Sequence, residues 1–292
     1  MKEIWKVAHR GWHKTHVENT LEAFRAAYGA GCHMVEFDVQ LSRDGVPVVF
    51  HDDDCQRLAG RRENVYDLTW EELRGLSLRT RKSAPAGSQA GYRIPSLDQF
   101  LSEFGKKPFY LELKIPRALE DNPGYVETLA EKCAAMVKAA GAHEDTFLAS
   151  FHGGILRFLA RERLFPVLGG IFENYDRFTA VHTGADAETA VAIRHFSVSW
   201  EIFRKYIRDS REAENRNARQ APVRPSEVDL LARKTAGVPG PELFLIWDIK
   251  GEKEFKAALS AGVRGIVADD VETMMKLKSG EEGREQAALR TS

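Results

Sequence analysis

Residues 34–52 read MVEFDVQLSRDGVPVVFHD, and this stretch combines a strand pattern, a turn and several titratable side chains. Glu36 and Asp38 are two residues apart, so on a strand both side chains point to one face and the apolar residues between them point to the other. We expect the apolar face to pack against helices and the two carboxylates to line the mouth of a barrel.

The dipeptide Asp44-Gly45 is a hairpin signal. The run that follows it, 46–50, is therefore predicted to fold back antiparallel on the preceding strand. With Asp44 and Gly45 as the two loop residues, His51 lies opposite Asp38, and a bulge would shift this pairing by one residue. One imidazole and two carboxylates would then meet at one end of the strand.

Strand-like and helix-like runs alternate along the rest of the chain. The predicted parallel strands are Ile4–Ala8, Met34–Val39, Pro108–Leu113, Thr146–Ser150, Val167–Ile171, His195–Trp200, Leu243–Ile249 and Gly265–Ala268. Eight such strands predict an α/β fold, a (β/α)₈ TIM barrel, which typically takes roughly 250 residues. Asn19 is expected to cap the first helix, with Glu22 at the capping-box position.

The predicted organisation is one TIM-barrel catalytic domain, residues 1–278, followed by a polar C-terminal tail, residues 279–292. Residues 52–95 are longer than an ordinary barrel connection and are predicted to be a small, basic insertion after the second-strand hairpin. Thr69-Trp70-Glu71-Glu72 predicts a short capped helix within it. Whether this insertion is a solvated surface excursion or a cap over the substrate stays open.

Composition excludes several classes of function. The 292 residues carry 42 basic and 43 acidic side chains, a net charge of -1, so no general field attracts nucleic acid. No apolar run reaches signal-peptide or membrane-spanning length, which predicts a cytoplasmic protein without stable membrane insertion. The three cysteines are scattered and are expected to be reduced. The oligomeric state is not predicted.

Glu112 repeats the carboxylate pattern in the third predicted parallel strand, with Lys114 on the same face. Glu36, Asp38 and Glu112 could therefore converge at the carboxyl ends of neighbouring strands. Oxygen ligands without cysteine favour one hard divalent cation, Mg²⁺ or Ca²⁺, with Mn²⁺ possible. The alternative is that Arg10 and Lys114 neutralise these acids as buried ion pairs.

Two histidines are predicted to lie at the same barrel mouth, since His9 ends the first strand and His51 ends the hairpin return. Paired imidazoles suit general acid–base chemistry near neutral pH. Arg10 offers planar donors to a phosphate, and Gly11 permits a sharp exit from the strand. A metal, two imidazoles and cationic donors together favour attack at phosphorus. His13, close by in sequence, is expected at a solvated loop position.

The chain closely resembles the glycerophosphodiester phosphodiesterase family. The motifs that carry the resemblance are Ala8-His9-Arg10-Gly11, Glu18-Asn19-Thr20-Leu21, Val35-Glu36-Phe37-Asp38-Val39, Asp44-Gly45, Val48-Val49-Phe50-His51-Asp52 and Leu111-Glu112-Leu113-Lys114. It covers residues from about 6 to 277, with weaker motifs after the first third.

This resemblance implies a metal-dependent TIM barrel that cleaves small glycerophosphodiesters to sn-glycerol 3-phosphate and an alcohol through a cyclic phosphate. It implies that His9 and His51 form an acid–base pair. Which of the two is the base stays open, and we expect His9 to be the base and His51 the acid. Its implied metal ligands are Glu36, Asp38 and Glu112. Its implied phosphate-binding residues are Arg10 and Lys114.

Two alternative functions remain beside hydrolysis of glycerophosphodiesters. One is a lysophospholipase D-type phosphodiesterase acting on lysophospholipids, which an apolar groove would favour. The other is a barrel that binds phosphate ligands without turnover. Trp200 and Trp247 are expected near the ends of the sixth and seventh strands, either as an apolar wall for the substrate or as ordinary barrel packing.

Overall fold

The structure is a computed structural model. It describes residues 4–79, 91–142, 146–165, 168–177, 195–199, 201–205, 208–209, 243–247, 249, 251–260, 263 and 265–276. Trp200 and the predicted tail 279–292 lie outside the described residues.

The sheet closes into a barrel. Its nine strands are β1 (Trp5–Ala8), β2 (Met34–Leu41), β3 (Pro47–Val49), β4 (Phe109–Leu113), β5 (Thr146–Ser150), β6 (Leu168–Phe172), β7 (His195–Ser199), β8 (Leu243–Trp247) and β9 (Gly265–Ala268). Strands β1, β2 and β4 to β9 pair in parallel, and β1 pairs with both β2 and β9, which closes the ring. The predicted (β/α)₈ TIM barrel is confirmed.

Helices follow the strands around the barrel. They are α1 (Leu21–Gly29), α2 (Gln56–Ala59), α3 (Trp70–Gly75), α4 (Leu97–Phe104), α5 (Pro123–Ala139), α6 (Gly153–Arg161), α7 (Glu252–Ser260) and α8 (Val271–Lys276), with 3₁₀ turns at Val65–Asp67 and Arg117–Leu119. Among the described residues, 175–177, 201–205 and 208–209 are also helical. Within the described ranges, no helix is both long and apolar enough to cross a membrane.

Strand alternation separates the core from the barrel interior, as the pattern of β2 predicts. Phe37 faces outward and packs on Phe100 of α4, with ring centroids 4.1 Å apart. Met34 faces inward and packs with Val7 and Tyr110. Because side chains alternate along a strand, Glu36 and Asp38 lie on the same inward face as Met34, closer to the carboxyl end of β2.

The hairpin forms, but its register differs from the prediction by one residue. Val39 pairs with Val49 and Leu41 with Pro47. The N–H of Phe50, and not that of His51, donates to the carbonyl of Asp38. The loop has three residues, 43–45, and ends at Gly45, whose φ of 73° completes a turn of the kind that such loops adopt. His51 therefore lies one residue beyond the predicted position.

The start of α1 also differs from the prediction. Thr20 is the N-cap, and its side chain accepts a hydrogen bond from the Ala23 N–H. Asn19 instead has a φ of 56° and donates from Nδ2 to Asp38 Oδ2 at 2.9 Å. The capping position shifts by one residue because Asn19 is committed to a buried carboxylate.

The described parts of the insertion, 52–79 and 91–95, pack around their own apolar cluster. Leu58, Val65 and Leu73 are buried there against Val48 and Phe50 of the hairpin. The predicted capping box is confirmed, since Thr69 accepts from the Glu72 N–H and Glu72 accepts from the Thr69 N–H. This cluster fixes α2 beside the hairpin, and α2 carries a residue that reaches the barrel mouth.

Candidate active site

A cavity of about 520 Å³ opens at the carboxyl ends of the strands. Its lining includes most of the residues that the sequence singled out: His9, Arg10, Glu36, His51, Glu112, Lys114 and Trp247. Asp38 lies beside this cavity, between Arg10 and Lys114. The structure thus brings together every predicted site residue except Trp200, which is outside the described residues.

Three carboxylates form the buried base of the site. Asp38 on β2 pairs in register with Glu112 on β4, and Glu36 lies one inward position earlier. Their exposed fractions are 4%, 1% and 7% for Glu36, Asp38 and Glu112. One oxygen of each lies within 4.8 Å of the others. This is the converging oxygen donor set that a hard divalent cation requires.

The positively charged side chains of Arg10 and Lys114 do not neutralise this carboxylate cluster fully. Arg10 Nε lies 3.3 Å from Asp38, and Lys114 Nζ lies 3.7 Å from Asp38 and 3.5 Å from Glu112. Burial opposes the ionised form of Asp38, but Arg10 and Lys114 outweigh it and lower the pKa of that carboxyl. Burial, together with the charges of Asp38 and Glu112, raises the pKa of Glu36 well above its ordinary value.

Ion pairing alone therefore leaves one carboxylate, Glu36, in an unfavourable environment when it is ionised. Buried charge without a full complement of partners costs several kcal/mol. The residues present fit a bound divalent cation, because such an ion would supply the missing positive charge to three oxygen donors.

A turn with two left-handed residues carries Arg10 into the site. Arg10 and Gly11 have φ values of 52° and 77°. A Cβ on Gly11 would lie 2.8 Å from the backbone of Ala23, so a larger residue does not fit. This turn aims the Arg10 N–H at Glu36 Oε2, with a donor–acceptor distance of 3.0 Å. The backbone therefore fixes both the arginine and one carboxylate.

Each histidine at the cavity is held by a carboxylate. His9 Nδ1 lies 2.6 Å from Asp269 Oδ1, and His51 Nδ1 lies 2.7 Å from Asp52 Oδ1. With Nδ1–H donating to a carboxylate, the neutral ring keeps a lone pair on Nε2. His9 Nε2 lies 3.9 Å from Glu36 Oε2, which places that nitrogen at the carboxylate cluster.

A further residue of the site, Arg57 on α2, belongs to the basic insertion and was not among the predicted site residues. Its guanidinium bonds both oxygens of Asp52, at 2.6 and 2.9 Å, and both oxygens of Glu18, at 2.7 Å each. Glu18 Oε1 in turn accepts from Arg10 at 2.9 Å. One guanidinium therefore connects the partner of His51 to the partner of Arg10.

The sequence carried only partial signals for these supporting residues. Asp52 was recognisable because it follows His51 directly, and Asn19 and Glu18 belong to a quoted motif. Asp269 directly follows the strand Gly265–Ala268, and His9 directly follows β1. Because these two strands pair in parallel, the residues after them lie close together. Arg57 had no comparable signal, because its partners are distant in sequence.

Apolar side chains also line the cavity. Phe151, Ile171, Trp247 and Ile249 line the wall, and Glu173 lies near them. Trp247 thus lies where the sequence placed it, at the end of β8.

Comparison with known proteins agrees with this geometry. The model of the Glycerophosphoryl diester phosphodiesterase family matches residues 9–273. A glycerophosphodiester phosphodiesterase of Caldanaerobacter subterraneus subsp. tengcongensis is 27% identical over 271 residues, which are 93% of this chain and 96% of that protein.

Solved structures share the fold. A glycerophosphodiester phosphodiesterase from Agrobacterium tumefaciens superposes with a TM-score of 0.66 at 20% identity, over 95% of this chain and all of that one. An Oleispira antarctica phosphodiesterase in complex with the product sn-glycerol-3-phosphate gives 0.66 at 20% identity, over 93% and 96% of the two chains. The family match over nearly the whole sequence shows that this chain is an enzyme of the glycerophosphoryl diester phosphodiesterase family.

Proposed function

We propose that the protein hydrolyses glycerophosphodiesters to sn-glycerol 3-phosphate and an alcohol, with a divalent cation held by Glu36, Asp38 and Glu112. The observation that carries this proposal is the convergence of these three carboxylates with two carboxylate-held imidazoles at one cavity. The Oleispira antarctica structure holds the product of this reaction in the same fold, which supports the substrate class.

The acid–base roles follow from the two histidines. His9 Nε2 accepts the proton of the glycerol 2-hydroxyl as its oxygen attacks phosphorus. His51, protonated and held by Asp52, gives a proton to the oxygen of the leaving alcohol, and the phosphorus–oxygen bond to that alcohol breaks. The product of this step is a cyclic phosphate. Water then opens the ring with the two histidines in reversed roles.

The cationic residues hold the phosphate. Arg10 and Lys114 face the cavity and donate to non-bridging phosphate oxygens as negative charge grows on them. A divalent cation held by Glu36, Asp38 and Glu112 would supply further positive charge at the reacting phosphate. The apolar wall at Phe151 and Trp247 receives the remainder of the substrate.

Glycerophosphocholine is the first substrate to assay. We expect release of sn-glycerol 3-phosphate, measured with a coupled dehydrogenase, at a higher kcat/KM than for lysophosphatidylcholine. The cavity of about 520 Å³ suits a small diester. A preference for lysophosphatidylcholine would favour the lysophospholipase D alternative. Product binding without turnover of any diester would favour the non-catalytic barrel.

Arg57→Gln is expected to lower kcat by about 10- to 10²-fold, because small misplacements of catalytic groups have effects of that size. The variant loses the bonds that orient both Asp52 and Glu18. The kcat of Arg57→Lys is expected to lie between those of the wild type and Arg57→Gln, since one ammonium cannot make four bonds to two carboxylates. Steady-state kinetics and thermal unfolding, measured on the same preparations, separate positioning from folding.

Arg61→Gln is the matched control on the same insertion. Arg61 is exposed and pairs with Glu63 at the surface. We expect normal kcat from this variant. Equal losses in the Arg57 and Arg61 variants, or a fall in Arg57→Gln that follows its melting temperature, would argue against a positioning role for Arg57.

A further inference from the structure

A second group of possible metal ligands lies next to the carboxylate cluster and is more exposed than it. His9 Nδ1 and His13 Nε2 approach the same oxygen of Asp269, at 2.6 and 3.1 Å. The three ligand atoms lie within 4.8 Å of one another. Two imidazole nitrogens and one carboxylate oxygen are therefore within the span of a single metal ion.

The backbone fixes this arrangement. The left-handed turn at Arg10 and Gly11 folds the chain back, and the His13 N–H donates to the Gly11 carbonyl at 3.0 Å. The two imidazole rings then lie 6.0 Å apart at 85° to each other. Asp269 follows β9, where the His9 N–H donates to the Ala268 carbonyl at 3.1 Å. All three side chains are thus anchored on the barrel rim, which limits the movement needed to bind an ion.

His13 lies at this rim, where the sequence predicted only a solvated loop position. Its side chain is 24% exposed and that of Asp269 is 61% exposed, although the His13 Nε2 atom itself is buried. An ion would therefore reach this group from the Asp269 side. The carboxylate cluster below is nearly inaccessible by comparison. The two sets of ligands differ in both access and chemistry.

We propose that His9, His13 and Asp269 form a binding site for a transition-metal ion of the Zn²⁺ type, and that its occupation inhibits the enzyme. Imidazole nitrogens favour Zn²⁺, Co²⁺ and Cu²⁺, whereas an all-oxygen set favours Mg²⁺ and Ca²⁺. Three protein ligands leave a fourth tetrahedral position for water. The site therefore selects a different ion from the one bound by Glu36, Asp38 and Glu112.

Inhibition follows from the tautomer of His9. A neutral imidazole carries one proton, so a ring bound to metal through Nδ1 keeps that proton on Nε2. Nε2 then has no lone pair with which to accept a proton from the substrate hydroxyl. This consequence rests on the proposed role of His9 as base. The binding of the ion does not rest on that role.

Binding is tested with Co²⁺ in the presence of saturating Mg²⁺, by its visible absorption and by calorimetry. The wild type is expected to bind one Co²⁺ with a spectrum typical of nitrogen ligation. His13→Asn keeps a donor toward Asp269 and His13→Phe keeps the ring contact with His9, but neither has the imidazole ligand. Both are expected to bind at least about 10-fold more weakly. His16→Asn, on the same loop, is expected to bind normally.

Inhibition is tested with Zn²⁺ under the same Mg²⁺ saturation, with each variant compared with its own rate without Zn²⁺. The inhibitory concentration is expected to rise at least about 10-fold in both His13 variants and to stay unchanged in His16→Asn. Equal inhibition of wild type and His13 variants would overturn the inhibitory role, and absence of a His13-dependent Co²⁺ site would overturn the site itself. If the protein turned over no diester, the Co²⁺ titration would still decide whether the site exists.

Discussion

His9→Ala and His51→Ala are each expected to lower kcat for glycerophosphocholine by at least ~10²-fold, the usual scale for the loss of a general acid or base. The reason is geometric. Each ring is held through Nδ1 by a carboxylate, Asp269 or Asp52, which leaves Nε2 for proton transfer. Choline release, measured under saturating substrate and cation, gives the comparison.

The two losses are expected to diverge when the leaving group changes. In glycerophospho-p-nitrophenol the alcohol leaves as a stabilised phenolate, whose oxygen needs little protonation. His51→Ala should therefore recover most of its activity on this substrate, whereas His9→Ala should not, because the attacking hydroxyl still has to lose its proton. Recovery by His9→Ala and not by His51→Ala would reverse the two roles.

A matched control uses the carboxylate partners. Asp52→Asn and Asp269→Asn keep a side chain of the same size but weaken the orientation of one catalytic ring each, His51 and His9. We expect Asp52→Asn to show the same dependence on the leaving group as His51→Ala, with a smaller effect. Near-normal turnover of glycerophosphocholine by both histidine variants would contradict acid–base catalysis by this pair.

The sequence predicted the barrel and the carboxylate cluster for a simple physical reason. Alternation on β2 and β4 is a local property, and the closure of parallel strands brings their carboxyl ends together whatever the loops do. Glu36, Asp38 and Glu112 therefore could be assigned to one site before any contact was known.

The errors arose where a long-range contact overrides a local signal. Asn19 has the chemistry of an N-cap, but a buried bond to Asp38 uses its side chain and Thr20 caps α1 instead. Gly45 marks the hairpin turn, yet a glycine ends both two- and three-residue loops, so the register was underdetermined by one residue. Arg57 could not be assigned because Glu18 and Asp52 meet it only in the fold.

Glu36→Gln and Glu112→Gln are expected to lower kcat by roughly 10³-fold, since a bound cation contributes several kcal/mol of charge stabilisation at phosphorus. EDTA should cause a comparable loss in the wild type, and added Mg²⁺ or Ca²⁺ should restore the activity. Glu173→Gln removes a carboxylate from the same cavity but outside the cluster, so a much smaller effect is expected.

Glu36→Gln is expected to lower kcat but to make the metal-free protein more stable. Burial and the charges of Asp38 and Glu112 disfavour ionised Glu36, so Glu36→Gln is expected to raise the melting temperature of the metal-free protein. The introduced amide can still accept the Arg10 N–H through its oxygen. In the wild type, cation at 100 times its Kd should add about 2.7 kcal/mol to the free energy of unfolding. That increase should be much smaller in the variant.

This pair of measurements separates a metal site from an ion-pair network. If Arg10 and Lys114 were the only partners of the cluster, Glu36→Gln would change stability in the same way with and without added cation, and EDTA would leave turnover intact. If the cluster holds a cation, activity and cation-dependent stability fall together, while the metal-free protein becomes more stable. The second outcome would support the proposed cation site, and the first would favour the ion-pair network that Arg10 and Lys114 form with Asp38 and Glu112.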